Sequence, residues 1–318
     1  MVKIDKDAAQ RGQRYIDDRR GSGGGRRSRS AGAGGGLPVG KVGGLGGIII
    51  AVLALLLGGN ALTEGGGTSS GFDIGATGFE SNEQVDAAPG AAATIDPERN
   101  YMGFLMEDIQ VVWGDYFADA GLEYQPTNMV LFSGGVSTGC GNATSAVGPF
   151  YCPAPGDNNV YIDTEFFDEL ATRFGAPGDF AQAYVIAHEI GHHIQSVTGI
   201  SDQVRRAQSQ NPASRNELSV RQELQADCLA GVWAFSASQR QTTDGFNIIE
   251  PGDIAEGLAA AAAVGDDRIQ AQAGMNVEPH TWTHGSAEAR QNWFMRGFRT
   301  GDPEQCDTYA VSSDDVGL

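Results

Sequence analysis

The pentapeptide His188-Glu189-Ile190-Gly191-His192 constrains the fold of this chain more than any other stretch. Side chains four residues apart lie one above the other on an α-helix, so both imidazoles can reach one metal ion if the segment is helical. Glu189 is then free to act on a bound water instead of serving as a ligand. Such a pentapeptide arises by accident in about one chain in a hundred of this length, so its surroundings decide whether it is a site.

The sequence around the pentapeptide predicts one helix, with Asp179 as its N-cap and Gly199 as its C-terminal stop. His188, His192 and Gln195 fall on one face of this helix. The neighbouring face carries an apolar stripe at helical spacing: Ala183, Ile186, Ala187, Ile190, Ile194 and Val197. One edge of the helix is therefore expected to pack while the other presents ligands.

The third ligand must come from elsewhere, because a catalytic zinc takes three protein ligands and leaves a fourth position for water. One class continues the motif with a glycine and a third histidine, but those positions hold Gln195 and Thr198, which excludes that class. The other class takes a glutamate from a second helix, and Glu223 fits. Ser219 and Gln222 predict a capping box at the start of that helix.

Asp227 lies one turn after Glu223 and could accept the remaining N–H of a ligand histidine, which would fix the ring orientation. The alternative for Glu223 is a solvent-exposed helix carboxylate, and for Asp227 a structural hydrogen bond or a surface position. If Glu223 is not the ligand, Asp227, His280 or His284 must be.

Two further histidines are candidates for supporting roles. His193 points about 100° away from His192 around the helix, so it is expected to support the ligands from behind or to pack. His284 lies in a loop before a helix and could donate to the oxyanion of a tetrahedral intermediate, although a capping or structural histidine is the alternative. Arg290 and Tyr184 are weaker candidates.

These residues together predict a hydrolytic mechanism. Zinc held by His188, His192 and Glu223 would lower the pKa of its bound water and polarise the scissile carbonyl. Glu189 would take the proton of that water and pass it to the leaving amine.

The distribution of charge excludes nucleic acid as a partner. Residues 1–62 carry ten Lys and Arg against four Asp, whereas the whole chain has a net charge of −19. The remainder is therefore strongly acidic and repels nucleic acid and anionic membrane surfaces.

Residues 42–62 predict a transmembrane helix, since they lack charge and contain an apolar run from Ile48 to Leu57. The basic residues precede this segment, so the positive-inside rule places residues 1–41 in the cytoplasm and everything after residue 62 outside, as in a single-pass membrane protein. A cleaved signal peptide would need a shorter leading region. A buried core helix is disfavoured because both flanks are rich in glycine.

Four segments follow from this interpretation: a basic Gly/Arg/Ser-rich cytoplasmic segment (1–41), the membrane helix (42–62), a flexible stalk rich in Gly, Ser and Ala (63–95) and a folded domain (96–318). The domain is expected to be α+β with helices dominant and a small sheet. Asp96 and Pro97 open its first helix. Further elements are predicted as strands at 128–132 and 160–162, a loop at 133–159, and helices at 164–174, 254–264 and 287–298.

Four cysteines are present, and none forms a CxxC pair. Outside the cytoplasm they could form two disulfides. Cys140–Cys152 would close a short loop, and Cys228–Cys306 would tie the tail to a helix. Buried free thiols are the alternative.

Several segments resemble the bacterial family described as putative neutral zinc metallopeptidases. They are residues 151–153, 160–163, 178–193, 223–228, 265–268, 283–285 and 306–308, and the likeness runs over essentially the whole chain. It implies a membrane-anchored zinc metallopeptidase with a zincin-like core, acting on peptide or protein substrates. His188 and His192 match the ligands and Glu189 the catalytic residue, while Glu223 and Asp227 resemble the ExxxD helix of glutamate-ligand zincins. The alternative function is a non-catalytic, membrane-tethered metal-binding or protein-interaction module on the same scaffold.

Overall fold

The computed structural model describes residues 1–20 and 96–317 of the chain. Within these ranges no helix is long and apolar enough to cross a bilayer. The predicted membrane helix at 42–62 and the predicted stalk at 63–95 lie outside the described residues.

Helices dominate the described part of the chain, as predicted. They are α1 (Lys6–Gly12), α2 (Pro97–Asp119), α3 (Glu165–Thr172), α4 (Asp179–Val197), α5 (Ile200–Gln210), α6 (Arg215–Ser238), α7 (Asp253–Ala263), α8 (Asp266–Gln272), α9 (Ala287–Thr300) and α10 (Ser313–Val316). Asp96 caps α2 as expected, because its carboxylate accepts the N–H of Arg99 at 2.7 Å, and Pro97 is the first helical residue.

The main sheet has four strands: β1 (Ile16–Asp18), β2 (Asn128–Phe132), β5 (Phe150–Cys152) and β6 (Asn159–Asp163). Their order is β1-β2-β6-β5, with β5 antiparallel to β6 and the other pairs parallel. Strands β3 (Gly135–Thr138) and β4 (Gly141–Thr144) form a separate hairpin. The region predicted as a loop at 133–159 therefore contains three short strands.

The two faces of the sheet bury different clusters, because successive side chains of a strand point to opposite faces. On β2, Met129 and Leu131 join the main core with the helices. Val130 and Phe132 join a smaller cluster that includes Tyr161 and Cys152 on the opposite face. Both predicted disulfides, Cys140–Cys152 and Cys228–Cys306, are formed.

Residues 1–20 are part of this folded unit. Strand β1 runs parallel to β2 with Ile16 opposite Met129, and the N–H of Arg19 donates to the carbonyl of Leu131 at 2.7 Å. Helix α1 packs on α2.

Several basic residues of this segment are ion-paired with the rest of the domain. Arg11 Nε and Arg14 Nη2 lie 2.8 Å and 2.9 Å from the two carboxylate oxygens of buried Glu107 on α2. Arg20 pairs with Asp18 and Asp96.

The predicted start of the folded domain at residue 96 is therefore wrong for residues 1–20. Their composition suggested a separate solvated segment, but their partners are distant in sequence. A strand that is hydrogen-bonded to β2 must also lie on the same side of a membrane as β2. This pairing is incompatible with the predicted membrane topology, in which residues 1–41 are in the cytoplasm and residues 96–318 are outside.

The predicted capping box of α6 is also wrong. The helix begins at Arg215, so Ser219 lies inside it and donates its hydroxyl to the carbonyl of Arg215 at 3.1 Å. A serine within a helix can form such a bond to the carbonyl four residues earlier. The Gln222 amide donates instead to the Ser201 hydroxyl on α5.

Candidate metal centre

Two closely packed helices bring the predicted ligands together. A Cβ built at Gly191 on α4 would lie only 3.0 Å from the Cα of Ala226 on α6, so the absence of a side chain permits this approach. His188 and His192 from α4 and Glu223 from α6 each present a ligand atom, and these three atoms lie within 4.8 Å of one another.

The spacing of these atoms fits a single zinc ion. His188 Nε2 lies 3.2 Å from Glu223 Oε2, and His192 Nε2 lies 3.5 Å from Glu223 Oε1. Ligands at zinc bond lengths of about 2.0–2.1 Å in a tetrahedral arrangement are about 3.3 Å apart. Two imidazole nitrogens and one carboxylate also form a donor set that zinc accepts in catalytic sites.

In each of the two predicted ligand histidines, the other ring nitrogen, Nδ1, is held by the protein. His188 Nδ1 is 2.8 Å from Asp227 Oδ1, and His192 Nδ1 is 2.9 Å from Gln195 Oε1. With Nδ1 as the donor in each ring, the lone pair of Nε2 faces Glu223. The Gln195 amide is itself fixed because its N–H group donates to the carbonyl of Gln222 at 2.7 Å.

Asp227 is the centre of a buried hydrogen-bond network. It accepts from the guanidinium of Arg290, with Nε to Oδ2 at 2.8 Å, and from the hydroxyl of Tyr184. Its side chain has no solvent exposure. The predicted contact of Asp227 with His188 is thus present. Tyr184 and Arg290 both bind Asp227, and both also line the cavity beside His188.

The electrostatics of the centre favour an added positive charge. Burial by itself would lower the pKa of His188, but the charge of Asp227 and the bonds to Asp227 and Glu223 outweigh it and raise the pKa to about 9. Burial opposes ionisation of Glu223 as well, yet His192 and His188 hold its pKa well below the ordinary value. The site therefore stabilises a cation between these side chains.

Glu189 differs from the ligands in its surroundings. Burial raises its pKa, partly offset by the charges of His192 and His188. Among the described residues none forms a hydrogen bond or ion pair with its carboxylate. Glu189 lines the same cavity as His188 and Glu223, so its carboxylate is available to a bound molecule.

His284 also lines this cavity, and Asp266 holds it in place. His284 Nδ1 is 3.1 Å from Asp266 Oδ1. Asp266 Oδ2 accepts the backbone N–H groups of Thr283, His284 and Gly285 at 2.7, 2.6 and 3.0 Å. With Nδ1 engaged, Nε2 is the nitrogen of His284 that remains for a ligand. Sequence reasoning gave Asp266 no role, although it lies in a segment that supports the family resemblance.

His193 does not support the metal ligands. Its Nε2 is 2.7 Å from the carbonyl oxygen of Gln125, and its Nδ1 is 3.1 Å from the hydroxyl of Tyr151. Burial lowers its pKa to about 4, so the ring is neutral. Because His193 lies about 100° around α4 from His192, its ring points towards β5 and away from Glu223. Of the two predicted roles, support of the ligands and packing, the structure favours packing. His280 is exposed beside Glu278 and is not one of the converging ligands.

A second acidic group, formed by Asp179, Asp253 and Glu256, is occupied by protein donors. The N–H of Val2 donates to Asp179 at 2.7 Å, and the N–H of Phe180 donates to Glu256 at 3.1 Å. These bonds account for the cluster.

Comparison with known proteins agrees with this geometry. A family model described as "putative neutral zinc metallopeptidase" matches residues 7–309. Uncharacterized protein YpfJ of Escherichia coli is 41% identical over 302 residues, which cover 93% of this chain and 96% of that protein. Uncharacterized proteins Mb2605 of Mycobacterium bovis and Rv2575 of Mycobacterium tuberculosis are each 52% identical over 194 residues, or 59% of this chain and 64% of theirs. No solved structure matches the chain.

Proposed function

The chain belongs to the family of putative neutral zinc metallopeptidases, and we propose that it is a membrane-anchored zinc peptidase that hydrolyses peptide bonds with Glu189 as general base. The observation that carries the proposal is the combination of three converging ligands with one buried carboxylate that has no partner among the described residues.

The chemistry divides between the metal and the side chains. Bound zinc would lower the pKa of a water molecule and polarise the substrate carbonyl. His188, His192 and Glu223 would hold the zinc. Glu189 would take a proton from the attacking water and deliver it to the leaving amine, a role suited to a carboxylate whose pKa is raised by burial.

Two other side chains complete the proposed mechanism. His284, oriented by Asp266, would donate from Nε2 to the oxyanion that develops on the substrate carbonyl. Asp227 would orient His188, so that Nε2 keeps its lone pair directed towards the metal.

The rival function is a non-catalytic metal-binding module. Such a module needs the three ligands but not Glu189, and a structural carboxylate in this position would be paired with a donor. The lack of any such donor among the described residues favours the peptidase.

The test uses the full-length protein in detergent, with peptide-library cleavage and bound zinc measured on the same samples. Glu189→Gln should keep zinc and lose about 10²- to 10⁴-fold in kcat/KM. His188→Ala and His192→Ala should lose the metal, and a chelator should abolish cleavage of the library. Glu288→Gln, an exposed glutamate on α9, is the matched control. Wild-type activity in Glu189→Gln would contradict the mechanism.

We propose that the domain, including residues 1–20, lies outside the cytoplasm. The two disulfides support this location, because such bonds persist in oxidising compartments. The predicted apolar segment at 42–62 would supply the membrane anchor. The pairing of β1 with β2 supports a common side of the membrane for both flanks of this segment, so we propose an anchor that does not cross the bilayer.

Thiol labelling of intact cells tests this location. All four native cysteines are in disulfides, so Gln10→Cys on α1 and Ser209→Cys on α5, both at exposed positions, would each add a single reactive thiol. A membrane-impermeant reagent should label both variants. Labelling of Ser209→Cys alone would place the two segments on opposite sides, and labelling of neither before permeabilisation would place the domain in the cytoplasm.

A further inference from the structure

Two glutamine side chains link His192 to the tail that follows α9. Gln195 Oε1 lies 2.9 Å from His192 Nδ1. The amide nitrogen of Gln195 donates to Gln225 Oε1 at 3.1 Å and to the carbonyl of Gln222 at 2.7 Å. Gln225 in turn donates to the backbone carbonyl of Cys306 at 3.1 Å. Gln195, Gln225 and the carbonyl of Cys306 are called the amide relay below.

The two backbone carbonyls fix the direction of every bond in the amide relay. A carbonyl can only accept, so Gln225 must turn its N–H group to Cys306 and its oxygen to Gln195. Both amide hydrogens of Gln195 are then used, for Gln222 and Gln225, and its oxygen faces His192. Nδ1 of His192 must therefore be the donor, and the lone pair of Nε2 is left for the metal.

Water has little access to the amide relay. Gln195 has no solvent exposure, and Gln225 and Cys306 are 6% and 1% exposed. A buried amide that loses its partner costs the full desolvation penalty of the group, so these bonds keep their arrangement. Because Gln195 is neutral, it orients His192 without adding negative charge, unlike the carboxylate of Asp227 on the other side of the centre.

The tail that supplies the last carbonyl is fixed to α6 on both sides of Gln225. Arg221 lies four residues before Gln225 and Cys228 three residues after it, so the three side chains share one face of the helix. Cys228 forms the disulfide with Cys306. The carbonyl of Arg221 accepts the Thr308 hydroxyl at 2.7 Å, and the Arg221 guanidinium donates to the carbonyl of Thr308. The disulfide and these bonds hold Cys306 against Gln225.

We propose that Gln225 is a positioning residue for the metal centre and that the Cys228–Cys306 disulfide secures it, so that the tail helps to orient the ligand His192. This inference rests on the zinc site of the proposed function, but it does not require peptide hydrolysis. Cys228 and Cys306 are 0% and 1% exposed, so a reductant has little access to the pair in the folded domain. The disulfide is therefore a permanent brace of the centre and not a switch.

Zinc affinity tests the role of Gln225. It is measured on the full-length protein in detergent by competition with a chromophoric chelator. Gln225→Met keeps the bulk of the side chain but removes both bonds, and we expect a loss of about 10- to 100-fold. Gln208→Met on α5 is the matched control, because Gln208 is also 6% exposed and also donates to a backbone carbonyl, that of Arg215 at 3.2 Å. Equal zinc affinities in the two variants would overturn the proposal.

A second substitution covers the case in which Gln225→Met does not fold. The amide of Gln225→Asn is one carbon shorter and cannot bridge the same two partners, so this variant should also lose zinc affinity. The visible spectrum of cobalt-loaded protein gives a readout that a purely structural role would not change, because cobalt absorption depends on the ligand geometry. Its bands should shift in the Gln225 variants and not in Gln208→Met. Unchanged bands in the Gln225 variants would contradict the positioning role.

A double-mutant cycle shows whether Gln225 acts through Gln195. Gln195→Met should by itself lower the zinc affinity by about 10- to 100-fold. Adding Gln225→Met should then cost less than about threefold, because the amide relay is already broken. If the two losses multiplied instead, Gln225 would act independently of Gln195 and the relay would be refuted.

Replacing each disulfide separately tests the brace. Cys228→Ala combined with Cys306→Ala should lower the zinc affinity by about threefold to tenfold, since the carbonyl that holds Gln225 is no longer fixed. Cys140→Ala combined with Cys152→Ala removes the other disulfide and should leave the affinity unchanged. Both double variants are assayed at a temperature where circular dichroism shows them folded. Equal affinities would remove the disulfide from the metal centre.

Cleavage of the peptide library separates this proposal from the peptidase. Cleavage by the wild type with unchanged zinc affinity in Gln225→Met would overturn the amide relay and leave the peptidase intact. Loss of zinc affinity in Gln225→Met without any cleavage by the wild type would leave the relay in place and refute the peptidase.

Discussion

Arg290 and Asp227 form a two-point ion pair, with Nε to Oδ2 at 2.8 Å and Nη2 to Oδ1 at 3.0 Å, and both side chains are almost completely removed from solvent. The other function of Asp227 is to hold Nδ1 of His188. Burial would raise the pKa of Asp227, but the charge of Arg290 and then that of His188 outweigh it and lower the pKa. Arg290 therefore keeps ionised the carboxylate that holds His188, a proposed metal ligand.

Removing the cation should destabilise the whole domain. Arg290→Met would leave the charge of Asp227 buried without its partner, so the free energy of unfolding should fall by about 3–5 kcal/mol. Urea titration followed by circular dichroism measures this. Arg299→Met, an exposed position on the same helix, should change the free energy by less than about 1 kcal/mol. Equal effects of the two substitutions would mean that the ion pair does not stabilise the fold.

Asp227→Asn should weaken zinc binding. An amide retains the size of the carboxylate but is a weaker acceptor for His188, and loss of such an outer contact typically costs about 10- to 100-fold in metal affinity. Competition with a chromophoric chelator gives the affinity. The control is Asp115→Asn on α2, an exposed carboxylate. An unchanged zinc affinity in Asp227→Asn would rule out the orienting role.

His284→Ala should separate catalysis from metal binding. Loss of one oxyanion donor typically lowers kcat by about 10²- to 10³-fold, and the zinc content should not change. Asp266→Asn should also lower kcat, but by less than His284→Ala does, because the imidazole of His284 remains present and loses only the contact that orients it. If zinc were lost from His284→Ala, His284 would be a ligand and the present assignment would fail.

The longer disulfide loop should contribute more stability than the shorter one. Cys228 and Cys306 are 78 residues apart, whereas Cys140 and Cys152 are 12 apart. Replacing Cys228 and Cys306 together by Ala should lower the free energy of unfolding by about 2–5 kcal/mol, and the double substitution at Cys140 and Cys152 by less. Chemical denaturation of the two double variants checks the order, and the reverse order would contradict it.

Docking of residues 1–20 should weaken in acid. Burial would raise the pKa of Asp5, but the backbone N–H of Ala8 and, from outside the segment, that of Thr243 outweigh it. The pKa of Asp18 is lowered mainly by Arg20 within the segment, and also by the charge of Arg99 on α2. Because both values lie below the ordinary 3.8, this stabilisation is present above that pH and is lost as the pH falls through the lowered values.

Limited proteolysis with an acid-tolerant protease, followed by mass spectrometry of residues 1–20, measures the docking between pH 2.5 and 6. Asp5→Asn should release the segment more readily at neutral pH and show a smaller pH dependence. Release that does not depend on pH in the wild type would contradict the role of these carboxylates.

The sequence could predict those residues of the site that lie within one or two turns of each other on the same helix. His188, Glu189 and His192 follow from one helix, and Glu223 with Asp227 from another, because side chains three and four residues apart share a face. Asp266 could not be predicted, since its partner His284 is in a different segment and no local pattern joins them. Ser219 was misread because the capping pattern is local, whereas α6 extends back to Arg215. Residues 1–20 were misassigned because composition cannot show that Arg11 and Arg14 meet Glu107.

The pairing of β1 with β2 has a kinetic consequence. Ile16 and Met129 are more than a hundred residues apart in the chain. Bringing them together therefore costs chain entropy, because a long loop must be closed. During synthesis β1 emerges long before its partner strand, and it must wait unpaired until β2 is complete. Non-local strand pairing of this kind slows folding, so addition of β1 to the sheet is expected among the last steps of assembly.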